Sequence, residues 1–390
     1  MKHFLRRPLA FAFPPFCRRV PPVRMTEHRR SHSEDLTLIF FGCGVLIFCP
    51  ALCIMRATLS DKEIFERQFI KHASERCEIS PRARMLVALS GGADSVALLY
   101  LLKKFSPQFK WKIFAAHFNH KTRGKESDRD EAFVRALCEK QKIPLFVARR
   151  KGRTDAKLNE EKLRSMRFEF LHRAAERAKA KFIAFGHQKN DAAETLLLFL
   201  IRGAGAEGLT SLSARTIRDG KIIVRPLLPF SRGEISEYLK IQKIAFRKDS
   251  SNRSLKHQRN RIRRKLIPLM EKEFNPRIVD ELAKTAEILR EENALLDRWA
   301  KPALTPRGLS VKYLKNMSLA LRRRAARLAT AKFKGDLRRI NFNHIESVLR
   351  LLDAGRETHL PDWLTVVKRG KFLYFKPSDK KRKTSQTPKR

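Results

Sequence analysis

From Ser60 onward, short apolar runs alternate with longer stretches whose apolar residues recur at helical spacing. The apolar runs are residues 84–89, 112–118, 144–148, 182–185 and 222–224, and their lengths and flanks predict strands. Residues 61–76, 96–104, 128–142, 160–180 and 191–202 carry the helical pattern; within 128–142 the apolar positions are Ala132, Phe133, Ala136 and Leu137. Strands that alternate with helices in this way predict an α/β fold with a parallel sheet covered on both faces. Ligands of such sheets sit beyond the carboxyl ends of the strands, so the segments leaving the strands are where chemistry is expected.

The pattern changes after Asp249. Residues 255–273 predict a basic helix, and 276–299 a further helix with Ile278, Leu282, Ile288, Leu289 and Leu295 near helical spacing. Pro302, Pro306 and Gly308 mark a boundary. Helices are expected at 319–333 and 343–352, then two short strands at 364–367 and 372–375 joined by a turn at Arg369-Gly370. The expected organisation is an extension at 1–57, a parallel-sheet nucleotide-binding domain at 58–250 and a basic helical linker at 251–300. A smaller, mostly helical domain ending in a short β-hairpin follows at 301–376. The tail at 377–390 is basic and predicts disorder.

Residues 1–57 read differently. Arginines are mixed with prolines, and then residues 36–55 form a run of twenty without a charge. That length could span a bilayer. Three readings stand: a membrane anchor, an organelle-targeting leader, or upstream sequence with Met55 as the working start. The soluble-type helix from Asp61, and the position of every motif beyond it, favour the third and a cytoplasmic protein.

Charge then narrows the partners. With 85 Lys+Arg against 40 Asp+Glu, the net charge is +45 over 390 residues. Such a balance points to a polyanion, nucleic acid first and an anionic membrane surface second. The six cysteines form no C-x-x-C pair, and four of them precede residue 56. That argues against a zinc ribbon, a redox pair, a Cys-ligated cluster or a disulfide framework.

The chemistry concentrates in Ser90-Gly91-Gly92-Ala93-Asp94-Ser95, between an apolar strand and a helix. Two glycines let backbone approach a phosphate, and the helix start offers unpaired N–H groups and a positive dipole end. Ser90 and Ser95 add hydroxyls, and Asp94 is suited to holding Mg²⁺ or orienting the loop. No G-K-[ST] follows, so the loop is not a Walker A motif.

This string resembles the nucleotide loop of the ATP pyrophosphatase (PP-loop) family. Further strings follow in order: His117-Phe118-Asn119-His120, Arg164 to Arg167-Phe168, Gly186-His187-Gln188-Lys189-Asn190-Asp191-Ala192-Ala193-Glu194, Arg202-Gly203-Ala204-Gly205-Ala206-Glu207-Gly208-Leu209, Arg225-Pro226-Leu227-Leu228, Asp249-Ser250-Ser251-Asn252 and Arg259-Asn260-Arg261-Ile262-Arg263. Together they resemble the tRNA(Ile)-lysidine synthetases, strongly over residues 82–275 and more loosely over 276–375. The resemblance implies a catalytic domain of adenine nucleotide alpha hydrolase type. It also implies ATP as substrate, Mg²⁺, free L-lysine and an isoleucine tRNA with a CAU anticodon. The implied reaction adenylates C2 of the wobble cytidine, then displaces AMP with the lysine ε-amine. Some members are dimers, so a homodimer is a further expectation; no stable protein partner is evident.

The resemblance carries roles onto this chain. Ser90, Gly91, Gly92, Ala93, Asp94, Ser95, His117 and His187 would bind ATP. Asp94, Asp191 and Glu194 would be catalytic. Asp191 and Glu194, three apart on a helix, would grip the lysine ammonium, although such a pair also serves simply to stabilise a helix start. Arg164, Arg167, Arg225, Arg259, Arg261 and Arg263 would meet substrate or phosphate, the alternative being a solvated basic face. Asn190 stands where the family usually has a first Asp. Arg322, Arg323, Arg324 and Arg327 would contact tRNA. A thiolation-type PP-loop enzyme and a basic tRNA-binding protein with a vestigial nucleotide site remain as alternatives.

Overall fold

The computed structural model describes residues 37–41, 44–48, 60–122, 124–150, 160–247 and 258–378. Two compact units divide the chain at Leu59/Ser60. In the first, β1 (Thr37–Phe41) and β2 (Gly44–Phe48) pair antiparallel, with Phe41 opposite Gly44. The uncharged run at 36–55 therefore holds a hairpin in its described part rather than a spanning helix. Among the described residues, no helix is long and apolar enough to cross a membrane. The Arg/Pro-rich leader, the Asp249–Asn252 turn, residues 255–257 and the tail from 379 lie outside the described residues.

The second unit begins with α1 (Asp61–Glu75), closed by a reciprocal cap between Ser60 and Glu63. Its sheet comprises β3 (Arg84–Ala88), β4 (Lys112–Asn119), β5 (Leu145–Arg149), β6 (Phe182–Ala184), β7 (Arg215–Arg218) and β8 (Lys221–Val224). The order is β5-β4-β3-β6-β8-β7, parallel throughout except for β7, which runs antiparallel to β8. Between the strands lie α2 (Ala93–Phe109), α3 (Lys125–Lys140), α4 (Glu160–Arg177), α5 (Lys189–Ile201) and α6 (Ala206–Leu209). After β8 comes α7 (Arg232–Ile241).

Side-chain alternation explains the two covered faces. Met85, Val87, Ile113, Ala115, Phe182, Ala184, Ile222 and Val224 point into a core shared with α1, α2 and α7, around Phe69, Leu98 and Leu239. Leu86, Ala116 and Ile183 point the other way, against Leu171, Ala174 and Ala175 of α4 and Ala178 just beyond it. Two elements escape the sequence pattern. β7 has one apolar residue, Ile217, and it is 64% exposed at the sheet edge. The helix α7 does carry a legible signal, the Ser231–Glu234 capping box.

Beyond the sheet, α8 (Gln258–Arg261), a π turn (Ile262–Leu266), α9 (Ile267–Glu273) and α10 (Ile278–Ala300) follow one another. Ile262, Ile267 and Val279 pack onto Ala193 and Leu197 of α5, which fastens this basic segment to the parallel-sheet body. The C-terminal part has its own core. There β9 (Leu304–Thr305), β10 (Gly308–Ser310), β11 (Glu357–Leu360), β12 (Leu364–Arg369) and β13 (Phe372–Pro377) form a sheet of order β11-β12-β13-β10-β9. The expected hairpin is β12–β13, turning at Arg369-Gly370, but it is the middle of a five-stranded sheet and not an isolated ending. With it go α11 (Val311–Lys315), α12 (Leu319–Lys334) and α13 (Phe342–Arg350).

Candidate functional site

A cleft of about 770 Å³ opens at the carboxyl ends of β3, β4 and β6. The loop after β3 forms its floor. Gly91 sits at φ +89°, a left-handed conformation open to glycine, and its carbonyl accepts from the Arg247 N–H at 2.9 Å. Ser95 Oγ accepts from the Ser90 N–H (3.2 Å), lies 3.0 Å from Ser90 Oγ and donates to the Gly92 carbonyl (3.0 Å). The loop is thus closed by its own hydroxyls. Gly92 caps α2 without a side-chain partner, which leaves the helix-start N–H groups facing the cleft. A second glycine matters just as much: a Cβ on Gly186 would lie 2.8 Å from the Asp94 carbonyl, so only glycine lets the β6 exit pass this close to α2.

Asp94, half-buried in the first turn of α2, lines the cleft. Among the described residues no hydrogen bond or ion pair reaches its carboxylate. Burial, and then the negative charge of Asp191, push its pKa up to about 6. An unpaired carboxylate in such a place stands to gain from a cation.

Two histidines present opposite faces of imidazole chemistry. His117 Nδ1 lies 2.9 Å from the Leu89 carbonyl, which can only accept, so Nδ1 carries the hydrogen and Nε2 is an acceptor. That Nε2 is buried without a partner among the described residues. Arg225 Nε donates to His187 Nδ1 at 3.2 Å, so His187 carries its hydrogen on Nε2. The His187 ring stacks on Phe185 with centroids 5.4 Å apart and planes at 9°. Burial, then the charges of Arg225, Arg259, Arg167 and Arg164, hold its pKa well below the usual value, so the ring is neutral.

Asp191 and Glu194 open α5 side by side and are buried. Their partners are Arg259 and Arg263, four apart and so on one helix face. Arg259 donates from Nη2 to Asp191 Oδ1 (2.8 Å) and from Nε to Glu194 Oε2 (2.9 Å). Arg263 donates from Nη2 to Asp191 Oδ1 (3.1 Å) and Glu194 Oε2 (2.8 Å), and from Nε to Glu194 Oε1. Although burial opposes it, the Glu194 and Asp191 charges hold the Arg263 pKa above normal. The acid pair expected to grip an ammonium is thus already matched, two charges against two. Asn190 serves elsewhere, since its Oδ1 accepts from the Arg232 N–H (3.1 Å) at the start of α7. An amide oxygen suffices for that hydrogen bond.

The remaining expected residues fall into separate places. Ser90, Gly92, Ala93, Asp94, Ser95, His117, Arg167, His187, Asp191 and Arg263 lie on the cleft wall. Behind that wall, Glu194 and Arg259 act through Asp191 and Arg263, and Arg225 acts through His187. Gly91 shapes the loop from beneath. Arg164 lies one turn before Arg167 on α4, and Arg261 points to solvent. Phe246, Arg232 and Arg247 join the wall from beyond β8; they follow no sequence signal, because only folding brings that segment across the loop. The arginines expected to reach tRNA are tied internally. Arg322 donates to the Met317 and Lys315 carbonyls, Arg323 to Glu346, Arg324 to Asp297 and Asn293, and Arg327 to Glu207.

A parallel sheet with an S-G-G-x-D-S loop at its carboxyl edge, and a cleft above it, defines an ATP-using PP-loop protein. The PP-loop domain family matches residues 62–270, and the TilS substrate binding domain matches residues 309–374. The tRNA(Ile)-lysidine synthase of Geobacter sulfurreducens is 38% identical over 331 residues, 80% of this chain and 69% of that protein. Those of Solibacter usitatus and Thermotoga maritima are 37% and 39% identical, over 70% and 52% of this chain and 62% and 49% of theirs. A solved U34-tRNA thiolase from Methanococcus maripaludis shares the fold at TM-score 0.51 and 21% identity, over 59% of this chain and 80% of its own. The chain belongs to the tRNA(Ile)-lysidine synthase family.

Proposed function

We infer that this chain is an ATP-dependent ligase that joins lysine to C2 of the wobble cytidine of a CAU-anticodon isoleucine tRNA. One observation carries the reading: the family's nucleotide loop and its downstream acid–arginine cluster meet in one cleft, through Asp94, His187, Asp191 and Arg263.

The nucleotide phosphates lie over the α2 start, against the free N–H groups and the Ser90 hydroxyl. Asp94 is the residue here that would hold Mg²⁺. Bound there, Mg²⁺ supplies charge neutralisation on the phosphates. Arg167, half-buried and without a carboxylate partner among the described residues, and Arg263 face the same space and stabilise charge as pyrophosphate leaves. His117 offers an acceptor and His187 a donor, so the two walls discriminate opposite groups of the ligand.

Lysine makes a definite demand. A free ε-amine has a pKa of about 10.4, so it arrives as a cation and must lose a proton before attack. Asp191, which lines the cleft, is the carboxylate assigned to receive it. An incoming ammonium must share or displace a guanidinium, and the side chain of Arg259, 34% exposed against 19% for Arg263, is the one that yields. The C-terminal part, matched as a substrate-binding domain, holds the tRNA body while the anticodon enters the cleft.

A thiolation chemistry finds less support. Cys77 and Cys138 are buried, and burial pushes their pKa values up to about 12 and about 11, so neither is a nucleophile at neutral pH. The test is mass spectrometry of nucleosides from CAU-anticodon tRNA incubated with the protein, ATP and isotopically labelled lysine. A labelled, lysine-bearing cytidine is expected. Label-free cytidine with ATP cleaved to AMP would overturn the lysine assignment.

A further inference from the structure

Arg225 is unusual among the arginines of this region. It leaves β8 in the motif Arg225-Pro226-Leu227-Leu228 and is half-buried, with the pKa pushed down to about 10 by burial and by Arg164. Its hydrogen-bond partners are all neutral: the Ser213 carbonyl at 2.6 Å, Thr216 Oγ1 at 3.2 Å and His187 Nδ1 at 3.2 Å. It does not line the cleft, but His187 does. The imidazole is pinned between the guanidinium at Nδ1 and the Phe185 ring on one face. An isolated neutral imidazole exchanges between tautomers. A permanently charged donor against Nδ1 removes that freedom, because a hydrogen on Nδ1 would face the guanidinium N–H. Nε2, meanwhile, has no partner among the described residues.

We propose that Arg225 is a positioning residue that locks His187 as the Nε2–H tautomer, so that His187 gives a neutral, directed hydrogen-bond donor to a phosphate oxygen of the nucleotide in the cleft. The arrangement has a physical advantage over a direct arginine contact. A second cation at the phosphate would bind substrate and product alike, whereas a neutral, oriented donor adds direction without deepening the ground-state well. Charge on Arg225 stays behind the ring, held by β7 and the loop preceding it through Thr216 and Ser213. This proposal rests on the reading of the cleft as the nucleotide site, but the tautomer measured in the ligand-free chain does not.

That first measurement is the nitrogen-15 NMR of histidine-labelled full-length protein, with His187 assigned by its loss in His187→Gln. In the ligand-free chain at neutral pH, His187 is expected as the Nε2–H tautomer, and its Nε2 signal should move on adding AMP. An Nδ1–H tautomer in the free chain overturns the lock whatever the protein's activity. A locked tautomer whose Nε2 ignores AMP overturns the phosphate contact. The second measurement is a double-mutant cycle on tRNA-dependent AMP formation. Glutamine places an amide N–H near the Nε2 position without needing Arg225. Arg225→Met should lower kcat/KM for ATP about tenfold or more in the native background and by less than about threefold in the His187→Gln background. Equal losses in both backgrounds would mean that Arg225 is only structural. Should Arg225→Met fail to fold, Arg225→Lys, which keeps the charge but loses the Nε donor, takes its place in the same cycle.

Discussion

Two arginine groups flank one cleft, and they are held in opposite ways. Arg259 and Arg263 are matched by Asp191 and Glu194, charge for charge, in five hydrogen bonds. Arg167 on α4 and Arg225 just after β8 have no carboxylate partner among the described residues, and burial lowers the pKa of both. The first group is electrostatically neutralised: it stabilises the fold and admits a ligand only by exchange. The second leaves positive charge uncompensated among the described residues. Identical side chains are thus charge-matched in one group and uncompensated among the described residues in the other, and the difference lies in whether an acid is packed beside them.

Removing the acid puts this contrast under the greatest strain. Glu194→Gln leaves two part-buried guanidiniums with one carboxylate, and the fold should lose up to about 3 kcal/mol, read by denaturant unfolding. A loss under about 1 kcal/mol would show that the cluster is not matched as described. Next in size, Asp94→Ala should lower tRNA-dependent AMP formation by at least about a hundredfold. Normal turnover in that variant would remove Asp94 from phosphate or cation binding.

The same residue gives a test of sign. Asp94 has a folded pKa of about 6, above its ordinary 3.8. The folded chain therefore binds more protons than the unfolded one between these values, and its stability falls as pH rises through that window. At about 1.4 kcal/mol per pKa unit the cost at neutral pH is at most about 3 kcal/mol, reduced by solvent and counterions. Asp94→Asn should then melt higher than the native chain at pH 7.5, with the gap closing toward pH 4. Glu131 behaves in the opposite sense. Its hydrogen bonds, from Arg149 first and then Asn119 and Arg135, hold its pKa down to about 2. Its stabilising contribution is complete above about pH 4.5 and is lost as pH falls toward 2.

Smaller effects separate the two walls. Arg167→Met breaks no ion pair among the described residues; it should raise the KM for ATP about tenfold while leaving stability within about 1 kcal/mol. Arg261→Ala, at an exposed position between the two cluster arginines, should change either quantity less than about twofold. A large effect at Arg261 would move the RNA contact onto the outer face of this helix.

Much of the fold is legible in the chain because its elements satisfy local rules. The strands β3, β4, β5, β6 and β8 lie within one residue of the expected boundaries at most ends, since buried parallel strands read as continuous apolar runs. The helix α2 starts three residues earlier than its apolar pattern, because Asp94 and Ser95 belong to its first turn. An edge strand with one apolar residue, β7, leaves no such trace. Within the site, Ser90 to Ser95 is legible as an anion loop from glycines and hydroxyls before a helix. The partner of each charged group is not.

Residue order alone establishes the class of chemistry, the alternation that builds the sheet, and the identity of the charged groups near its carboxyl edge. These follow from periodicity, glycine placement and residue type, which are local properties. The folded chain adds that Asp191 and Glu194 meet Arg259 and Arg263, that Asn190 serves the start of α7, and that Arg225 stands behind His187. Each of these pairings joins residues 38 to 72 positions apart. Contacts at such separations depend on how helices pack over the sheet, and no spacing along the chain encodes them.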